Sequence, residues 1–171
     1  MSHGSLRKGN QDVAGVTGFC HSPGIAVVAV KAVGSALDWP RFLLLLAEAC
    51  GQVGQIDEGL AALTEALATL HRTGERFWEA QFHRLKGELL LRQGSSTGEV
   101  EACFHQALAI ARQQQAKSLE LRAAMSLARL WQRQGKHLEA YELLAPLYGW
   151  FTEGFDTADL QEAKALLAAL A

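Results

Sequence analysis

Three glycines set the frame for this chain of 171 residues. Gly54, Gly94 and Gly135 each follow an apolar stretch of helical period and precede another, and they stand 40 and 41 residues apart. Self-similarity at a period of this size marks stacked supersecondary units, none of which can bury its apolar face alone. Seven residues before each glycine comes a small residue, Ala47, Gly87 or Ala128. After each comes a triplet spaced by four and then three residues: Gly59, Leu63 and Ala66; Val100, Phe104 and Ala107; Ala140, Leu144 and Leu147. Such spacing keeps a triplet on one helix face. The fullest copy runs from Trp78 to Ala111. Leu85, Leu89 and Leu90 stripe its first helix, Cys103, Phe104, Ala107, Leu108 and Ala111 stripe its second, and GSSTG breaks them. Gly87 and Ala107 are small where two helix backbones would need to approach closely.

The stretches LAEACGQVGQIDEGLAALTEAL, LKGELLLRQGSSTGEVEACFHQAL and LARLWQRQGKHLEAYELL carry the pattern of a small residue in one helix packing on alanine and a large apolar residue in the next. In this the chain resembles a tetratricopeptide repeat array, over roughly Pro40 to Tyr148. It departs from that family at the early aromatic position, here Leu43, His83 or Ala124, in lacking the closing proline, and in exceeding the usual period of about 34 residues. The resemblance implies an all-α fold, a right-handed α-solenoid of three helical hairpins over residues 38–155 with a capping helix over 156–171. A narrower similarity lies in RTGERFWEAQFHRLKGELLL, ALAIARQQQAKSLELRAAMSLARLW and YGWFTEGFDTADLQEAKALLAAL, which are similar to the carboxyl-terminal repeats of large bacterial signalling ATPases. Those arrays often accompany a class III nucleotide cyclase or a DNA-binding regulator. This likeness implies that the chain is the tail of a larger protein whose catalytic domains the sequence does not contain.

Residues 1–37 fall outside the repeat. Their first part is rich in glycine and small polar residues, which offer little surface to bury against the entropy of ordering, so a flexible segment is expected. The apolar run GIAVVAVKAVGSAL is interrupted by Lys31 and Gly34 and is shorter than the ~20 residues of a membrane helix. It reads as an extra strand or helix lying on the array. Trp39 and Pro40 open the first regular helix, proline being favoured in a first turn. Phe42 to Leu46 then run unbroken, so this helix is expected to be apolar around its circumference and to need a cover. The segment Ile25 to Ala36, a second copy of the chain in a homodimer, or preceding repeats would serve. Further along, a helix over Asp57 to Arg72 stops at Thr73 and Gly74, and Thr97 and Ser118 are expected N-caps. Pro146 is expected to bend or end the helix that begins near Lys136. Asp156 is expected to cap a last helix striped by Leu160, Ala163, Leu167 and Leu170, with Asp159 and Glu162 in its first turns.

Composition narrows the function. A formal charge of −2 lacks the basic excess that a nucleic-acid or anionic-membrane binder wants. Cys20, Cys50 and Cys103 are too few and scattered for a disulfide framework or a metal knuckle, which suits a reducing cytoplasm. Catalytic constellations are missing as well. His71, His83, His105 and His137 fall in different helices without the partners four residues away that a helical zinc site needs. Cys103 and His105, two apart, point to different helix faces. Neither a phosphate-binding GxxxxGK[ST] loop nor a GxGxxG after a strand occurs. No enzyme activity, metal or cofactor is expected.

A surface remains. In the resembled family the first helix of each pair lines a concave groove. The resemblance places Arg41, Leu44, Glu48 and Gln52 there from the first hairpin, Gln81, Arg84, Glu88, Leu91 and Arg92 from the second, and Arg122, Met125, Arg129, Gln132 and Arg133 from the third. The later hairpins thus offer five arginines against one glutamate, and planar guanidinium groups suit carboxylates. An acidic peptide is the expected partner, anchored by Arg84, Arg92, Arg122, Arg129 and Arg133, with Leu91 and Met125 as apolar contacts. Alternatively Glu88 pairs with Arg129 and the other arginines are solvated. A competing reading is a regulatory domain sensing a small ligand, for which an aromatic-lined pocket near Trp78, Phe82 or Trp131 would be the sign.

Overall fold

The computed structural model describes residues 39–74 and 76–171. They form seven helices and no strand: α1 (Trp39–Val53), α2 (Ile56–Thr73), α3 (Glu79–Gln93), α4 (Thr97–Gln113), α5 (Lys117–Arg133), α6 (His137–Gly149) and α7 (Ala158–Leu170). Helices pair as α1 with α2, α3 with α4 and α5 with α6, and each pair packs on the next. The first helices also touch one another in order, α1 on α3, α3 on α5 and α5 on α7, so they form a continuous layer. This is an all-α solenoid. Among the described residues no helix is long and apolar enough to cross a membrane.

The repeated corners share one hydrogen-bond scheme. Gly54, Gly94 and Gly135 have φ of 82°, 84° and 78°. The residue after each donates its N–H to the carbonyl five residues back, Gln55 to Cys50 (2.9 Å), Ser95 to Leu90 (3.0 Å) and Lys136 to Trp131 (2.9 Å). That is the six-to-one bond of a Schellman cap, whose left-handed residue is glycine because a Cβ is disfavoured there. The turn from α4 to α5 uses the same bond, Ala116 N–H to the Ala111 carbonyl at 2.9 Å, with Gln115 at φ 54° in the glycine position.

Every member of the three triplets is buried except Leu147, which is half-buried. Gly87 is small because of Phe104: a Cβ there would stand 2.6 and 2.9 Å from the phenyl ring and 3.2 Å from the Cys103 Cβ. The close approach is therefore of helix backbone to an aromatic side chain, with Ala107 not among the nearest atoms.

Several local expectations are corrected. Ser96, one residue before Thr97, caps α4: its hydroxyl accepts the Glu99 N–H at 3.4 Å and donates to Glu99 Oε2 at 3.0 Å. Ser118 lies inside the first turn of α5, whose N-cap is Ala116. Asp156 precedes Thr157, the N-cap of α7, and the buried stripe of α7 uses Leu166 where Leu167 was expected. Pro146 sits inside α6, which continues to Gly149. On α1, Leu43 and Leu44 are buried and Leu45 is 54% exposed, so the outer side expected to need a cover carries an open apolar side chain among the described residues. The expectations for residues 1–37, including the cover from Ile25 to Ala36, fall outside the described residues.

Candidate binding groove

The layer of first helices carries two hollows that share Glu88 and Arg92. One, of about 320 Å³, is bounded by Glu88, Leu91, Arg92, Phe104, Ser126, Arg129 and Arg133. The other, of about 190 Å³, lies towards α1 and takes in Glu48, Gly51, Gln52 and Arg84 with Leu85 and Leu89. Four guanidinium groups and two carboxylates, Glu48 and Glu88, thus line the joined hollows.

Arg84, Leu91, Arg92, Arg129 and Arg133 come together here, and Gln81, Arg122, Met125 and Gln132 lie outside both hollows. Met125 is 3% exposed and belongs to the apolar core, so it presents no contact to a ligand. Gln81 is also buried, its Oε1 accepting from Arg84 Nε at 3.0 Å. Leu44 is buried under α1, and Arg41 is exposed.

Most of the arginines already have partners. Arg84 pairs with Glu88 one turn away. Arg92 Nη1 donates to the Gly51 carbonyl in the last turn of α1 at 2.7 Å. Arg122 meets Asp159 and Arg129 meets Glu162, both at 2.7 Å. Glu88, in place of the alternative pairing with Arg129, accepts from Ser126 Oγ at 3.0 Å and from Arg84. Arg133 is exposed and has no polar partner among the described residues. The sequence reading missed Ser126, Phe104 and Gly51 as groove constituents. It also missed that Asp159 and Glu162, one turn apart on α7, meet Arg122 and Arg129, two turns apart on α5.

Among the described residues neither hollow is lined by a cysteine or a histidine. Burial pushes the Cys103 thiol up, against activation. His83, whose imidazole burial lowers against an opposing pull from Glu79, lies on α3 outside both hollows. Among the described residues no three His, Cys, Asp or Glu side chains gather as a metal site. Of the aromatics, Phe82 is fully buried and the Trp131 indole N–H donates to Glu101 at 2.8 Å. Trp78 borders a separate hollow at the corner between α2 and α3.

No family model matches the chain. An uncharacterised protein of Rhizobium meliloti (strain 1021) is 31% identical over 101 residues, which is 59% of this chain and 10% of that protein. Among solved structures, kinesin light chain TPR-like repeats from Podosopora anserina align with a TM-score of 0.63 at 20% identity, over 76% of this chain and 64% of that one. The chain thus spans about a tenth of the first protein and less than two thirds of the second. The structural likeness gives the fold its class, a tetratricopeptide-like helical repeat.

Proposed function

We propose that the array is a protein-interaction module, without chemistry of its own, that receives an acidic peptide segment in the hollows between α1, α3 and α5. The observation that carries this reading is the 320 Å³ hollow, whose lining brings Arg92, Arg129 and Arg133 together with Leu91 and Phe104. Guanidinium groups around an apolar patch suit a segment that alternates carboxylates with a small apolar side chain. Arg133, unpaired among the described residues, is the first anchor. Arg92 and Arg129 offer the donors left over from their contacts with the Gly51 carbonyl and Glu162. For a place in the tail of a larger bacterial signalling ATPase, the support is the likeness of its repeat sequences alone.

The test is fluorescence anisotropy with a labelled Asp/Glu-rich peptide containing one leucine, beside a Lys-rich peptide of the same length. Arg133→Glu, at an exposed position, should weaken the acidic peptide about fivefold or more, with a further loss on adding Arg129→Glu. Equal affinity for both peptides, or for the double variant and the parent, refutes the reading.

A further inference from the structure

The hollow beside Trp78 differs in chemistry from the groove. It holds about 540 Å³ and is bounded by Arg76, Phe77, Trp78, Gln114, Ala116, Ser118 and Leu119. Its walls come from the corner between α2 and α3 and from the turn that opens α5, one hairpin further along. Phe77 is 66% exposed, and its ring meets Trp78 edge-on at 4.9 Å and 88°. A large aromatic left this open on a loop calls for an explanation, because the loop gains nothing from keeping it in water.

The Arg76 carbonyl is held from two sides. Gln114 Nε2, at the end of α4, donates to the Arg76 carbonyl at 2.5 Å, and the Glu79 N–H reaches the same oxygen at 3.1 Å. These bonds tie Arg76 to the end of α4 and to the first turn of α3, and the volume of the hollow lies within the range of about 300–1,000 Å³ usual for small-molecule sites. Among the described lining residues the one charged group is Arg76, whose side chain is 65% exposed and whose Nε stands 3.6 Å from Glu79, with no other polar partner of its side chain among the described residues.

We infer that this corner binds a small aromatic anion, its ring lying between Phe77, Trp78 and Leu119 and its carboxylate or sulfonate on Arg76. A ring satisfies the aromatic walls through offset or edge contacts, and a planar anion matches the fork of the guanidinium group. The site is independent of the acidic-peptide groove, with which it shares no residue.

The probe is 2-naphthoate, titrated into the full chain and followed by amide and indole N–H shifts in NMR spectra. Saturation with a dissociation constant of about 1 mM is expected for a ligand this small, with shifts confined to the Trp78 indole, Ser118, Leu119 and their neighbours. Phe77→Ala and Arg76→Gln alter exposed side chains, so both should fold, and each should weaken the probe about fivefold. 2-Naphthamide, the neutral amide of the same ring, should bind more weakly than naphthoate. Shifts elsewhere, no saturation, or indifference to either variant overturns the site. Equal binding of the neutral compound overturns its anionic character and points to an aromatic side chain of a peptide.

Discussion

Gly87 and Gly98 make a matched pair on which the packing argument can fail. Both are helical glycines, in α3 and α4, so alanine at either removes the entropic penalty of glycine and gains up to about 1 kcal/mol. They differ in what an added Cβ meets. At Gly98 nothing lies within 4 Å. At Gly87 the new carbon would fall 2.6 Å from Phe104 Cε1, against a comfortable carbon separation of about 3.5–4.0 Å. Phe104 is 1% exposed and cannot swing into solvent, so the clash moves a ring held on all sides. Overpacking of this kind costs about 1–3 kcal/mol. Gly87→Ala should therefore lose about 1 kcal/mol net and Gly98→Ala gain about 0.5 kcal/mol, a divergence of roughly 3–8 °C in melting temperature. Urea unfolding followed by circular dichroism at 222 nm measures both. In a double-mutant cycle Phe104→Leu should relieve Gly87→Ala, with a favourable coupling of about 1 kcal/mol. If Gly87→Ala stabilises as Gly98→Ala does, or shows no coupling to Phe104, the small residue seven before the corner is not there for packing.

Three other substitutions probe the fold. Glu120, its side chain 4% exposed, accepts from Arg112 Nε at 2.8 Å and Lys117 Nζ at 2.7 Å. Burial alone would raise its carboxyl, but the donors from Lys117 and Arg112 outweigh it and hold the group below the usual range. A depressed acid stabilises the fold above its unfolded value of about 4.3 and loses that contribution as pH falls through the folded value. Glu120→Gln should thus cost about 1–2 kcal/mol at pH 7, with the gap to the parent closing below about pH 4; a gap that persists in acid contradicts this. His83 is lowered by burial against Glu79, with Lys86 and His71 adding to the lowering, so its neutral form favours the folded state. Stability should decline as pH falls below about 6.5, and His83→Gln should flatten that part of a urea-midpoint profile. Gln115→Gly places at φ 54° the residue found at the other three Schellman corners, and should stabilise by about 0.5–1 kcal/mol in thermal melts.

What could be read from the sequence was whatever the repeat enforces. The three glycine corners, the small residues before them and the triplets after them recur because each hairpin solves one packing problem, and the structure gives all three the same backbone bonds. The boundaries of α2 were legible for a related reason, since Gly74 at φ 73° ends it in the same hand. Caps were less legible, because Ser96 and Thr97 are adjacent residues of equal capping chemistry and only the backbone direction decides between them. The groove was half legible. Family position puts Met125 on the inner face, but the layer of first helices closes over it and buries it with Leu121 and Ala128. Ion pairs between hairpins have no sequence signature at all: Arg122 with Asp159 and Arg129 with Glu162 span 37 and 33 residues.

Those long-range contacts also explain why the larger hollow lies where it does. Along the layer of first helices, polar contacts tie each hairpin to the next: Arg92 to Gly51, Ser126 to Glu88, Arg122 to Asp159 and Arg129 to Glu162. Arginines of the first helices therefore act first as links between repeats, and only what is left over is free for a partner. Arg92 and Arg133 hold the same place, two residues before Gly94 and Gly135. Arg92 reaches the α1 carbonyl because its target is a glycine: a Cβ on Gly51 would stand 3.3 Å from Arg92 Nη1 and 2.8 Å from Leu89. The equivalent of Gly51 in α3 is Leu91, three residues before its corner, and Arg133 makes no bond to its carbonyl among the described residues. Arg133 and Leu91 instead face the 320 Å³ hollow together. Where one repeat has glycine and a linking arginine, the next has leucine and an open one, and this sets an apolar side chain beside a free guanidinium, the pairing on which the proposed acidic-peptide site rests.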